Sequence, residues 1–375
     1  MTLIGIDASR AAKAKRTGTE TYSLELIKQF ARLASPTTRL RLYTPHAPQH
    51  NDWPDSPHVE TRIIPWPRLW THLRLAAELH QAPPDLLFVP AHVLPLFCPV
   101  PAVVTVHDLG YRFYPSAHKR FSRWYLDWTT RRHSRVASHV IADSEATKSD
   151  LIQIYQADSK RITVAHLGRD ETLTRIDDRA QVETIKNRYK IEGDYLLYIG
   201  TLQPRKNLLR LLDAFRSVTR ALKNRQIKLV LAGGQGWLYD EIFSRTQQLR
   251  LTEQVIFTGY IAETDKATLL SGAIAYLFPS LYEGFGLPVL EAMSCGTPVL
   301  TSCTSSLPEV AGDAALLVDP HNTQSIAVGL MALLTNPMLR ERLSEHGFQQ
   351  IQKFSWSTTA KQIWQVFMTI VIRNS

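Results

Sequence analysis

The sequence predicts an α/β chain built from two doubly wound domains facing across a cleft. Three observations carry this. Short β-branched runs alternate with longer helical patterns along the chain, the mark of parallel strands covered by helices on both faces. The 375 residues exceed the usual domain span of about 100–200 residues. The alternation breaks once, over the polar stretch Arg169–Gly193, and restarts at Tyr195–Gly200.

In order, the first half offers strands at Leu3–Asp7, Leu40–Pro45, Val59–Pro65, Asp85–Pro90, Ala102–His107 and His139–Ala142. The second offers Ile162–Ala165, Tyr195–Gly200, Lys228–Ala232, Val255–Gly259, Ala275–Phe278, Pro298–Thr301 and Ala315–Val318. Helical periodicity covers Thr21–Leu33, Leu208–Leu222, Tyr239–Leu249 and Val289–Ser294, with a weaker pattern at Gln181–Tyr189. Two Rossmann-like domains follow, 1–170 and 171–356, with the boundary inside 165–180. Such sheets bind ligands beyond the C-terminal ends of their strands.

An apolar fraction of 44% with 21% charged residues is ordinary globular composition, so each half can bury its own core. The net charge of +9 suits anionic partners, whether nucleic acid, anionic lipid or phosphorylated substrates, and equally a solvated basic surface. The cysteines Cys98, Cys295 and Cys303 form no CxxC pair and no zinc spacing, which fits a reduced cytoplasmic compartment and no metal. The N-terminus lacks the pattern of a signal peptide. No apolar run approaches the roughly 20 residues of a spanning helix.

The segment from Pro279 to Met293, PSLYEGFGLPVLEAM, carries the most specific chemistry. It follows a strand, turns through glycines, and enters a helix near Pro288, since proline suits a first helical turn. The exposed N–H groups of Gly284, Phe285, Gly286 and Leu287 would bind anions or hydroxyls. Glu283 and Glu291 would accept hydrogen bonds from sugar hydroxyls, with the phosphate charge carried by cations elsewhere. Those cations are Arg205 and Lys206 of GTLQPRKN, a fork and a point charge suited to a diphosphate. The same residues also read as a solvated basic turn. Asn207 is expected to cap the next helix.

Three further segments complete the candidates. After the first strand, a basic loop, Arg10 to Arg16, leads to Gly18 and Thr19, whose backbone would approach a phosphate; one glycine is equally an ordinary turn. No GxGxxG follows a strand, which disfavours a nicotinamide site. His107 and Asp108 close the strand of VTVHDL; His107 would titrate near neutrality and Asp108 would orient it or bind a hydroxyl, or the pair is a turn with a capping Asp. Finally, residues 116–140 hold six Lys or Arg against one Asp, with Phe121, Trp124, Tyr125 and Trp128 interleaved. That pattern suits an anionic membrane surface or a helix whose aromatics are core. No nucleic-acid fold signature accompanies it.

With these residues in view, the chain resembles a family 4 glycosyltransferase of the GT-B fold. The resemblance covers nearly the whole length and is most specific in GTLQPRKN, LVLAGGQGW, VIFTGYI, LFPSLYEGFGLPVLEAMSCGTPV and LPEVAGDAALLVDP. PRKN with VHDLGYRFYP resembles bacterial mannosyltransferases of O-antigen and exopolysaccharide assembly. The resemblance implies transfer of a hexose, with retention and without a required metal or cofactor, from a nucleoside diphosphate sugar to a glycan or polyprenyl-diphosphate-linked acceptor. GDP-mannose is the first candidate and a UDP-hexose the next.

It also implies roles. Arg205 and Lys206 would bind the diphosphate, with Gly18 and Thr19 closing over it. Glu291 would hold the ribose, Glu283 and the backbone of 284–287 the hexose, and Gly259, Tyr260 and Ile261 would border the base. His107 and Asp108 would lie beside the transferred sugar. The chain would return at Phe354–Trp356 to pack helix 357–375 on the N-terminal, acceptor-side domain. The first loop reads RTGTETY where many relatives carry a second glycine, which implies a narrower acceptor side.

Retention by a glycosidase-like route needs a carboxylate nucleophile, and neither Glu283 nor Asp108 is singled out for it. The expected route is attack on the leaving-group face with the departing phosphate oxygen as base. Two other classes compete: a nucleotide-sugar epimerase or hydrolase, and a silent binding subunit, which would lack the cations or glutamates that are present here. A cytoplasmic enzyme, peripheral at the inner face of the plasma membrane, is the expected setting.

Overall fold

The computed structural model describes residues 1–14, 18–49, 51–66, 68–91, 93–115, 120–222, 226–234, 236 and 239–374. The chain divides into two compact units, one of residues 1–112, 119–168 and 354–375, the other of 113–118 and 169–353.

Among the described residues the first unit holds a parallel sheet of β1 (Thr2–Asp7), β2 (Thr38–Thr44), β3 (Val59–Ile63), β4 (Leu86–Val89), β5 (Ala102–Val106), β6 (His139–Ala142) and β7 (Ile162–Val164). Their order is β3-β2-β1-β4-β5-β6-β7. Strands β4 and β5 are buried at every position, as parallel strands covered on both faces must be. The last helix, Trp356–Asn374, packs on the helix Gly18–Leu33, with Phe367 against Phe30 at 5.3 Å between ring centres. Thr359 Oγ1 donates to the His166 carbonyl at 2.6 Å and fixes where that helix begins.

The second unit holds β8 (Asp194–Ile199), β9 (Ile227–Ala232), β10 (Val255–Gly259), β11 (Ala275–Phe278), β12 (Val299–Ser302) and β13 (Ala315–Val318), in the order β10-β9-β8-β11-β12-β13 and all parallel. Each sheet therefore reverses strand order once, between β1 and β4 and between β8 and β11. Those reversals open the crevices where doubly wound sheets take ligands. Every expected strand is present, with ends shifted by no more than two residues. Gly233, just past β9, has φ 143°, and a Cβ there would strike the Gly200 carbonyl. The ends of β8 and β9 thus meet as bare backbone.

Candidate active site

In the second unit the site lies across the β8/β11 reversal. β8 leads through Gly200 to the 3-10 turn Pro204–Lys206 and then the helix Leu208–Ala221. β11 leads to the loop holding Glu283. The two are tied by backbone, with Leu281 N donating to the Arg205 carbonyl at 2.9 Å. Side chains complete the joint. Lys206 Nζ donates to Glu283 Oε1 at 2.6 Å and Arg205 Nη1 to Glu283 Oε2 at 2.9 Å, while Arg205 Nη1 also reaches the Tyr282 carbonyl at 2.6 Å. Lys206 Nζ lies 4.7 Å from the centre of the Phe278 ring, a cation–π contact.

Glu283 and Lys206 are buried. Burial works to raise the Glu283 carboxyl, and the Lys206 and Arg205 charges outweigh it, so its pKa lies below the ordinary value. Two cations on one carboxylate leave the cluster one unit positive. Ser305 and Ser306 brace the loop: Glu283 N donates to Ser305 Oγ at 3.0 Å, and Ser306 Oγ donates to the carbonyls of Glu283 and Phe285 at 3.0 and 2.6 Å. Gly284, Phe285 and Gly286 are buried and Leu287 is half-buried. Gly286 has φ 121°, and a Cβ there would meet Leu307 Cδ2 at 2.9 Å. The helix Leu287–Ser294 starts directly after it, with proline in its first turn.

Glu291, one turn into that helix, pairs with Lys266 at 2.6 Å. Burial works against charge on Lys266, and Glu291 overcomes it, raising the lysine. Gly259 ends the edge strand β10 with φ 68°, Tyr260 is exposed and Ile261 is buried.

In the first unit, Gly18 and Thr19 are the opening residues of the helix Gly18–Leu33 rather than the loop expected before Thr21. Arg10 and Lys13 turn onto the buried Glu20 of that first turn, at 2.9 and 3.4 Å, where the helix dipole also favours a carboxylate. Residues 15–17 of the basic loop lie outside the described residues. His107 Nδ1 meets Asp143 Oδ2 at 2.6 Å, and the Tyr22 ring stands edge-on to the imidazole at 4.8 Å. Burial disfavours the charged ring, but the Asp143 carboxylate wins and holds His107 above the usual histidine value. Asp143 is itself raised, by burial first. The Pro90 backbone also favours the charged ring, while Asp143 Oδ1 and Asp7 Oδ2 are buried without a hydrogen-bond partner, an arrangement that native interiors rarely leave unanswered.

Four sequence readings change here. Asn207 does not cap its helix: its backbone is left-handed, φ 62°, and no cap bond forms, because capping needs an extended residue. Its Nδ2 instead donates to the carbonyls of Pro279 and Pro320 at 3.0 and 2.7 Å. Asp108 does not orient His107; its Oδ1 accepts from Gly110 N at 2.8 Å. Asp143, at the end of β6, does, and sequence reasoning missed it although VIAD closes a strand as VTVHD does. The cations and Glu283, expected apart, form one cluster. Phe121, Trp124 and Trp128 are not core, since all three are exposed.

Residues 181–350 match the family model described as glycosyl transferases group 1, and residues 16–173 match glycosyltransferase family 4. The O-antigen chain mannosyltransferase B of Escherichia coli is 30% identical over 375 residues, covering 95% of this chain and 97% of that protein. Among solved structures, the sucrose-phosphate synthase of Thermosynechococcus elongatus covers 100% of both chains with a TM-score of 0.76 at 20% identity. Anabaena HepE, solved with UDP and glucose, covers 98% of this chain and 100% of its own with a TM-score of 0.75 at 19% identity. These two share the GT-B architecture. With both halves matched and a relative aligned along nearly its whole length, the chain belongs to the family 4, group 1 glycosyltransferases and is a glycosyltransferase.

Proposed function

We propose that the enzyme moves mannose, with retention, from GDP-mannose to a glycan or lipid-linked glycan acceptor in cell-surface polysaccharide synthesis. The observation that carries this reading is the buried Lys206–Glu283–Arg205 cluster at the β8/β11 reversal. Cleavage of the sugar–phosphate bond builds negative charge on the diphosphate. A cluster one unit positive, fixed in advance by its own carboxylate and by Ser305 and Ser306, stabilises that charge without reorganising. The mannosyl assignment draws on the name of the Escherichia coli relative.

Both Glu283 oxygens already accept from cations. A carboxylate so paired is a weak nucleophile, which supports attack on the leaving-group face. Glu283 keeps lone pairs for hexose hydroxyls and holds the cations. Glu291 takes the ribose, the 284–287 backbone the hexose, and Gly259–Ile261 the base. Gly18 and Thr19 serve the phosphates, and His107 donates a hydrogen bond to the transferred sugar. No metal or cofactor is invoked. The acceptor lies at the cytoplasmic face of a membrane that residues 116–140 touch, of which 116–119 lie outside the described residues.

The test is a donor panel. GDP-mannose with a mannosylated acceptor is expected to give an α-linked product by NMR. Transfer from UDP-hexoses alone would overturn the donor. Release of free sugar or an epimer with no transfer would assign the competing hydrolase or epimerase. A sugar trapped on Glu283 or Asp108 in a mass spectrum would overturn the front-face route.

A further inference from the structure

The helix Arg120–Val136 is built the wrong way round for a helix that only packs on a core. Its buried residues are Thr129, Thr130, His133 and Ser134. Its large apolar residues point outward instead: Phe121, Trp124 and Trp128 are 76%, 61% and 37% exposed. At 100° per residue these three fall on one arc with Arg120, Arg131, Arg132 and Arg135. Trp124 and Trp128 stack at 6.4 Å and Phe121 leans on Trp124 at 6.1 Å, so they form one apolar ridge flanked by guanidiniums. The helix's acid, Asp127, turns aside to the Tyr155 hydroxyl at 2.7 Å and Arg112 at 3.3 Å.

Beside the C-terminal end of this helix lies a cavity of about 370 Å³, lined by Leu96, Phe97, Cys98, Val100, Val136 and Arg132. Its size falls at the small end of ligand pockets. Phe97 at its rim is 73% exposed. Arg132 is its cation, and among the described residues lining it none is acidic. Arg132 Nη2 donates to the carbonyls of Pro95 and Leu96 at 3.1 and 2.6 Å, which fixes the guanidinium. Nη1 is buried and has no hydrogen-bond partner. A buried charged donor without an acceptor is costly, and an anion brought beside the guanidinium lowers that cost.

We propose that this cavity is a phospholipid site: the Arg132 guanidinium attracts the headgroup phosphate of an anionic phospholipid, whose glycerol and upper chain lie against Leu96, Phe97 and Val136. The proposal rests on the reading that this face meets a membrane, and it adds which residue holds a lipid. Guanidinium matches phosphate in charge and donor geometry. The aromatic ridge suits the interface between headgroup and chain, and the surrounding arginines favour an anionic leaflet.

Two cysteines give the readout. Cys98 lines the cavity, and exposed Cys303 lies in the other unit as an internal control. The full-length protein is mixed with phosphatidylglycerol vesicles, phosphatidylcholine vesicles or inorganic phosphate alone, and alkylation of each cysteine by N-ethylmaleimide is followed by peptide mass spectrometry. Phosphatidylglycerol is expected to slow Cys98 by about fivefold, the weight of one arginine at an anionic surface, and to leave Cys303 unchanged. The other two arms are expected to do neither. Arg132→Gln should abolish the protection. Because Arg132 also holds loop carbonyls, Phe97→Ser provides a second variant that leaves them in place, and it too should lose most of the protection.

Three results would overturn the site: an unprotected Cys98 in protein that pellets with phosphatidylglycerol vesicles, equal protection by phosphatidylcholine, or protection by phosphate alone. Protection that grows with protein concentration in the absence of lipid would assign the face to a second copy of the chain and overturn it as well. Sugar transfer to a soluble acceptor is expected to be unchanged in both variants. Failure of that transfer in the unaltered protein, with Cys98 still protected, would sink the proposed sugar chemistry and leave the lipid site standing.

Discussion

The strand ends of the two units handle buried charge in opposite ways. In the second unit Lys206, Arg205 and Glu283 answer one another within 2.9 Å and two serines brace the loop that holds them. In the first, His107 and Asp143 answer each other, but Asp143 Oδ1 and Asp7 Oδ2 remain buried without partners. The first arrangement is finished before any ligand arrives, as a fixed field for a developing charge should be. The second is unfinished, and its loose valences suit the hydroxyls of a sugar. On the proposed function, the work divides between a site that supplies charge and a site that supplies hydrogen bonds.

Breaking the finished cluster should have the largest effect. Lys206→Ala is expected to lower kcat by about 10²–10³, the scale of losing one preorganised charge partner. It also strips a buried carboxylate of its closest cation, and losing one partner of a buried pair costs about 3–5 kcal/mol. Both kinetics and urea unfolding should therefore respond. An inactive variant of unchanged stability would mean that the pair opens in the ligand-free protein. Glu283→Gln should destabilise similarly, by leaving two cations facing a neutral amide.

Glu291→Ala makes the contrast inside the same unit. Its partner Lys266 keeps a second carboxylate, Glu263, at 3.8 Å, so the fold should lose less, about 1 kcal/mol, as for a partly exposed pair. The nucleotide should suffer more than the fold: KM for the donor is expected to rise by about tenfold, the scale of one hydrogen bond to a charged group. A thermal-shift titration with GDP checks this, since a ligand that binds only the folded state raises Tm. An unchanged GDP shift would remove Glu291 from the ribose.

The unfinished site should respond through pH. Asp143 raises His107 against burial, so the protonated ring, and the stability it contributes, persists below the ordinary histidine value and is lost as pH rises through the raised one. Asp143→Asn keeps the shape and removes the charge. Burial then dominates, and the alkaline limb of kcat/KM is expected to move to lower pH, with a loss of about tenfold at neutrality. A variant that lost activity equally at every pH would give Asp143 a structural role only.

What the sequence made legible follows from range. The strands were readable because parallel strands such as β4 and β5, buried on both faces, need nearly continuous apolar runs, and LLFV and AVVTV, broken only by Thr105, are such runs. The candidates His107, Arg205, Lys206 and Glu283 stood out because each follows a strand end closely. What joins them was not: Lys206 and Glu283 are 77 residues apart, and nothing local says that β8 and β11 are neighbours. Asn207 misled because a left-handed and an extended asparagine look alike in sequence. The helix Arg120–Val136 left two readings open because periodicity gives a stripe without saying which side faces inward.

The smallest effect tests the edge between the two kinds of site. Gly18 opens its helix, and among the described residues nothing stands within 4 Å of where a Cβ would go, unlike Gly286, whose φ of 121° and contact with Leu307 forbid one. For the fold, Gly18→Ala should be neutral or stabilising by up to about 1 kcal/mol, since alanine costs less entropy in a helix. The same methyl would stand in the way if a phosphate approaches this backbone. The two expectations separate cleanly: unchanged or higher Tm with donor KM raised severalfold places the phosphate against Gly18, whereas unchanged KM removes Gly18 from donor binding and leaves the charge work to the second unit alone.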